Sequence, residues 1–100
     1  MHCYSTSKAG VRVLTTDLAF EMGPQGIRCN SIVTSCFATE MATVLTKVPE
    51  FTSFVSGRTP MQRWGEQDET VGVVIFLPSQ STSYINGTVI FFDGGMSCQV

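Results

Sequence analysis

Tyr4-Ser5-Thr6-Ser7-Lys8-Ala9-Gly10, continued by Val11-Arg12-Val13-Leu14-Thr15, is the stretch whose reading decides the fold. From Tyr4 to Met22 the apolar residues Val11, Leu14, Leu18 and Met22 fall at steps of three and four, the spacing of one face of a helix. Ser5, Thr6 and Ser7 suit its polar start, and Gly23-Pro24-Gln25-Gly26 supplies the glycine and proline that end helices. On such a helix Tyr4 and Lys8 share a face, one turn apart. A free phenol ionises only near pH 10, roughly, and a neighbouring ammonium stabilises the phenolate. A tyrosine so assisted can pass a proton to or from an alcohol or carbonyl oxygen. An exposed tyrosine and lysine can also share a face by accident, so the spacing alone does not decide and the rest of the chain must.

Working outward, Ile27 to Val33 reads as a short strand, with Ile27, Cys29, Ile32 and Val33 suited to burial. Residues 38–56 suggest two short helices interrupted at Pro49, and Arg58 to Glu66 reads as a loop containing Pro60 and Gly65. Asp68 and Glu69 ahead of the apolar run Val71 to Leu77 predict a helix over 68–77, which Pro78 ends. Asn86-Gly87 should turn, and Thr88 to Phe92 should form a second strand before Asp93-Gly94-Gly95. Strands separated by helical stretches point to right-handed crossovers and a parallel sheet. Two parallel strands alone leave open edges, so further strands are expected to precede these in a complete protein.

Composition narrows the function classes. With 43% hydrophobic residues and both charge signs among 100 residues, the chain is globular rather than disordered. A net charge of −2 and six scattered Lys and Arg residues argue against nucleic acid as a partner. No apolar run approaches the roughly 18 residues of a membrane span, and Met1-His2-Cys3-Tyr4-Ser5 has no signal-peptide pattern, so a cytoplasmic location is expected. Cys3, Cys29, Cys36 and Cys98 form no CxxC pair and the chain has a single histidine, which argues against a metal site.

The Tyr4-Ser5-Thr6-Ser7-Lys8-Ala9-Gly10 segment with Leu14-Thr15 resembles the catalytic helix of classical short-chain dehydrogenases/reductases. Gly26-Ile27-Arg28-Cys29-Asn30-Ser31-Ile32 is similar to their penultimate strand, and Ala38-Thr39-Glu40-Met41 to the segment after it. Arg58-Thr59-Pro60-Met61, Arg63-Trp64-Gly65-Glu66, Phe76-Leu77 and Ser83-Tyr84-Ile85-Asn86-Gly87 resemble the last loop and helix, and Asp93-Gly94-Gly95 closes the pattern. The resemblance implies an α/β chain, residues 1–100, forming the C-terminal part of a doubly wound parallel-sheet Rossmann fold with the N-terminal dinucleotide-binding half absent. It also implies an oxidoreductase that interconverts an alcohol and a carbonyl with NAD or NADP. Tyr4 would be the general acid/base, and Lys8 would assist it and bind the nicotinamide ribose. Thr34, Ser35, Phe37 and Thr39 would complete the cofactor-binding set, with the Thr39 hydroxyl toward the carboxamide. A packed core aromatic and a helix-capping threonine are the plainer readings of Phe37 and Thr39. Carbonyl and L-xylulose reductases are the subgroup named first by this resemblance, then 3-oxoacyl carrier-protein reductases.

Thr34-Ser35 stand where the family usually has Pro-Gly. Glycine takes dihedrals that serine adopts only at a cost, so a shifted nicotinamide loop is expected. The family's glycine-rich phosphate loop and catalytic serine would lie upstream of Met1; Ser5 and Ser7, on the helix itself, do not replace that serine. The leading expectation is therefore a fragment of an oxidoreductase for a small-molecule alcohol or carbonyl, inactive alone. Its main rival is a non-catalytic module that assembles through helices 4–22 and 68–77, as the family's homo-oligomers do. A product without a stable fold of its own is the third reading.

Overall fold

Helix α1 (His2–Met22) forms where the apolar spacing predicts, and in the computed structural model, which describes residues 2–98, it runs for 21 residues. Its hydroxyls fold back on the helix: Ser7 donates to the Tyr4 carbonyl, Thr15 to Val11 and Thr16 to Val13. A 3-10 turn, Gly23–Gln25, ends it, and Gly26 (φ 78°) takes the left-handed conformation that returns its N–H to the Gly23 carbonyl. The buried face differs from the apolar stripe read in the sequence. Thr15 and Ala19 are buried and Leu18 and Met22 half-buried, whereas Val11 and Leu14 are exposed. Ala19 is buried because its small side chain admits a close backbone: a Cβ on Gly87 would lie 3.3 Å from the Ala19 methyl.

The chain folds into two compact units, the first running to Ile32 and resuming at Leu77–Ile90, the second comprising Val33–Phe76 and the residues from Phe91 on. In the first unit, asparagine amides do much of the joining. Asn86 donates to the Ala19 carbonyl (2.9 Å) and accepts from the Cys29 N–H (2.9 Å). Asn30 donates to the Ile85 carbonyl (3.1 Å) and accepts from the Thr88 N–H (3.0 Å). The Arg28 guanidinium donates to the carbonyls of Leu77 (2.8 Å) and Ile85 (3.0 Å). These side chains occupy the backbone groups that a ladder would use, which explains why strand β1 (Ser31–Thr34) starts four residues later than the strand predicted from Ile27. Backbone bonds from Gly87 to Cys29 and from Ser31 to Thr88 advance in the same sense along both segments, the parallel arrangement expected.

In the second unit, strand β2 (Phe37–Ala38) pairs in parallel with β3 (Gly65–Glu66), Phe37 opposite Gly65 and Ala38 opposite Glu66. The stretch 58–66 is therefore not wholly a loop; two residues are too few to show a period in sequence. Between these strands lie a 3-10 turn Glu40–Ala42 and the two short helices expected, α2 (Thr43–Thr46) and α3 (Pro49–Arg58). Pro49 begins α3, where its missing N–H costs nothing, rather than interrupting it. Val55 is fully buried, and Phe51 packs against Phe54 (6.0 Å between centroids) and Trp64 (5.6 Å).

Helix α4 (Thr70–Phe76) follows a 3-10 turn Gln67–Glu69, so the acidic pair forms the lead-in rather than the first turn of the helix. Glu69 accepts from the Glu66 N–H (2.8 Å) and takes a bidentate pair from Arg63 (2.8 Å to each oxygen). Those bonds, the Arg63 pair first, lower the Glu69 carboxyl from 4.5 to about 2. A carboxyl depressed on folding adds stability at pH values above its unfolded range, and that contribution is lost as acid protonates it. Carbon-detected NMR titration of Glu69 is expected to place its midpoint near 2, and Arg63→Met to return it toward 4.5. A wild-type midpoint near 4.5 would refute the pairing.

Strand β4 (Val89–Phe92) lies beside β1. Beyond it, Asp93 is buried and accepts from the N–H groups of Gly95 (2.9 Å) and Ser97 (2.8 Å), while Gly94 (φ 62°) and Gly95 (φ 87°) make the turn. The Ser97 side chain, then these N–H groups, hold the Asp93 carboxyl below its ordinary range against the opposing effect of burial. Helices together with parallel pairing make this an α/β chain, as expected. Among the described residues no helix is long and apolar enough to cross a membrane.

Candidate active site

Helix geometry determines what α1 presents. At about 100° per residue, Tyr4, Lys8, Thr15 and Ala19 fall on one face. The half toward the C-terminus is buried through Thr15 and Ala19; the half toward the N-terminus carries Tyr4, 65% exposed, and the exposed Lys8. Lys8 Nζ stands 5.5 Å from the Tyr4 ring centroid, over the ring. The predicted pair is thus brought together on an accessible helix face, with the ammonium beside the phenol. Ser7 does not join it, because its hydroxyl is committed to the Tyr4 carbonyl at 2.7 Å.

The other four predicted residues belong to the second unit, where Thr34, Ser35, Phe37 and Thr39 all line one pocket of about 680 Å³. Each is placed by a local cause. Thr34 ends β1, and Ser35 donates to the Asp93 carbonyl (3.3 Å). Phe37 stacks on Phe92 with centroids 5.6 Å apart, so the packed-aromatic reading holds alongside its place in the pocket wall. Thr39 is the N-cap of the turn Glu40–Ala42: its hydroxyl oxygen accepts from the Ala42 N–H (3.2 Å), which leaves its proton available. The capping reading and the ligand reading are therefore compatible.

No strain marks the Thr34-Ser35 replacement. Gln62 (φ 55°) is the residue other than glycine with positive φ among those described, so Ser35 does not adopt the glycine-favouring conformation. The cost expected at this position is absent.

Sequence reasoning left several pocket residues unassigned. Cys36, Phe51, Trp64, Gln67 and Thr70 also line the wall. Trp64 belongs to a motif quoted above for its resemblance, but nothing in its spacing says that it reaches a pocket. Gly65 matters through what it lacks: a Cβ there would lie 2.7 Å from the Phe37 ring, so only glycine leaves Phe37 in place. Partial burial raises the Cys36 thiol above its ordinary range, which keeps it protonated and a poor nucleophile. None of the lining residues is charged, and hydroxyl, amide and aromatic groups supply the surface. Among the described residues no group of three or more His, Cys, Asp and Glu could hold a metal ion.

The family model described as enoyl-(acyl carrier protein) reductase matches residues 1–97. The gluconate 5-dehydrogenase of Gluconobacter oxydans is 39% identical over 94 residues, covering 94% of this chain and 37% of that protein. The crystal structure of a gluconate 5-dehydrogenase from Burkholderia cenocepacia, in complex with NADP and tartrate, is 35% identical with a TM-score of 0.90 over 97% of this chain and 38% of that one. A 4-hydroxyisoleucine dehydrogenase complexed with NADH is 28% identical with a TM-score of 0.93, covering 97% of this chain and 40% of its own. The chain spans less than half the length of each of these proteins. With a family match over nearly every residue and a relative 39% identical over 94% of this chain, the chain belongs to the short-chain dehydrogenase/reductase family.

Proposed function

We propose that residues 1–100 are the C-terminal, proton-handling part of an NAD- or NADP-dependent oxidoreductase that interconverts an alcohol and a carbonyl. The observation that carries this reading is the Lys8 ammonium 5.5 Å from the ring of an exposed Tyr4 on one helix face. A bound dinucleotide would supply the hydride donor or acceptor. In the oxidative direction Tyr4 Oη takes the alcohol proton as the hydride leaves carbon, and in the reductive direction it returns one to the carbonyl oxygen. Lys8 balances the charge left on the phenolate and binds the nicotinamide ribose hydroxyls. The pocket containing Thr34, Ser35, Phe37 and Thr39 suits a neutral aromatic amide: Phe37 offers a ring face, and the Thr39 hydroxyl has a proton to give. The names of the gluconate relatives support a polyhydroxylated substrate, as do Thr70 and Gln67 beside Phe51 and Trp64 in the wall.

Assembly of like subunits is part of the proposal. Val13 and Phe20, seven residues apart on α1, are exposed, as are Val74 and Ile75 on α4. Such apolar helix faces favour burial against another subunit. The test is turnover by the intact protein of sugars, sugar acids and their keto forms with NAD or NADP, followed by absorbance of the reduced nicotinamide. Light scattering on the same sample is expected to give a dimer or tetramer. Binding of neither dinucleotide, with no turnover of any of these substrates, would move the function to a non-catalytic assembly module.

A further inference from the structure

Thr59 follows α3, and the residue is 4% exposed. Its backbone is engaged on both sides: the N–H donates to Val55 (3.0 Å) and the carbonyl accepts from Gln62 (2.7 Å). Its methyl is wedged under the Gly94 turn, where a Cβ on Gly94 would lie 2.6 Å away. The Thr59 hydroxyl oxygen, sealed from solvent, has no hydrogen-bond partner in the chain. A hydroxyl left unsatisfied in this way weakens folding by roughly a factor of 10.

Thr59 lines a cavity of about 20 Å³ with Ser35, Cys36, Arg63 and Asp93. One water needs about 10–15 Å³ of such space and two to four polar partners. The partners are at hand. The Asp93 carboxylate accepts the Gly95 and Ser97 N–H groups and a bond from the Ser97 side chain, which leaves one of its roughly four lone-pair sites for a further donor. Ser35 donates its proton to the Asp93 carbonyl, so its oxygen can still accept.

We propose that this cavity is a single-water site joining Thr59 to Asp93 and to the Ser35-Cys36 segment. Ser35 and Cys36 also line the 680 Å³ pocket, so the water braces from behind the segment that replaces the family's Pro-Gly. A hydrogen-bonded water there does for Ser35 what ring rigidity and glycine geometry do for Pro-Gly: it holds the backbone in one place.

The test compares wild type, Thr59→Val and Thr59→Ser in the intact protein, by high-resolution crystallography and urea unfolding. Water density about 2.7–3.0 Å from Thr59 Oγ1 is expected in wild type. Thr59→Ser should keep it, and Thr59→Val, close in shape but without the hydroxyl, should lose it and raise the unfolding constant about 10-fold. A wild-type map without that density overturns the proposal. So does a Thr59→Val protein at least as stable as wild type, because removing a truly unpartnered hydroxyl relieves a cost.

Discussion

Tyr4→Phe is expected to lower kcat/KM by roughly 100- to 10,000-fold, the range that a positioned general acid or base contributes. Binding of the dinucleotide should stay within about a factor of three, and unfolding stability within about 0.5 kcal/mol. The separation follows from the position of the side chain. Tyr4 is 65% exposed near the start of α1, whereas the burial that fixes the helix is at Thr15 and Ala19, three to four turns later. Losing Oη removes the proton carrier and leaves the ring beside Lys8 unchanged. Steady-state kinetics with fluorescence titration of the dinucleotide makes the comparison. Loss of binding in step with turnover would make Tyr4 a structural residue and sink the catalytic assignment.

Lys8→Met carries the second large effect, expected at roughly 100-fold or more in kcat/KM, together with a raised KM for the dinucleotide. Two tasks disappear at once: stabilising charge on the Tyr4 oxygen and binding ribose hydroxyls. Tyr4→Phe should raise no such KM, so the two variants separate proton transfer from binding. Lys8→Arg sharpens the result. A planar guanidinium is a poor substitute for a compact ammonium with three rotatable donors, and recovery should stay below about a tenth of wild type. Full recovery by arginine would reduce Lys8 to a source of positive charge.

The sequence carried the element order and missed details whose causes are not periodic. Helix α1 was legible because its apolar spacing and the Gly23-Pro24 stop agree. Its buried face was not legible, because burial there depends on Ala19 meeting the Gly87 backbone, a contact between residues far apart in sequence. The start of β1 was misplaced because Arg28, Asn30 and Asn86 take up backbone groups that an apolar pattern assigns to a ladder. The β2–β3 pairing was invisible at two residues per strand, although Gly65 held the clue in its lack of a side chain.

The candidate residues fall into two groups, one in each compact unit. Tyr4 with Lys8, and Thr34, Ser35, Phe37 and Thr39 in one pocket wall, were each named from motifs before their geometry was on the page. The expected strain at Ser35 did not materialise, since Ser35 does not take the positive φ that glycine favours. Cys36, Phe51, Gln67 and Thr70 escaped notice because nothing in their spacing marks them as neighbours, and they come from segments far apart in sequence. A pocket wall becomes apparent only when distant segments are folded together.

Hydride bookkeeping tests the central claim most directly. The intact protein would be given an alcohol substrate deuterated at the reacting carbon, and the dinucleotide product weighed by mass spectrometry in wild type and Tyr4→Phe. One deuterium in the wild-type nicotinamide, gained at least about 100-fold more slowly in the variant, is the result this account predicts. Turnover without label in the dinucleotide, or labelling by Tyr4→Phe at the wild-type rate, would contradict it.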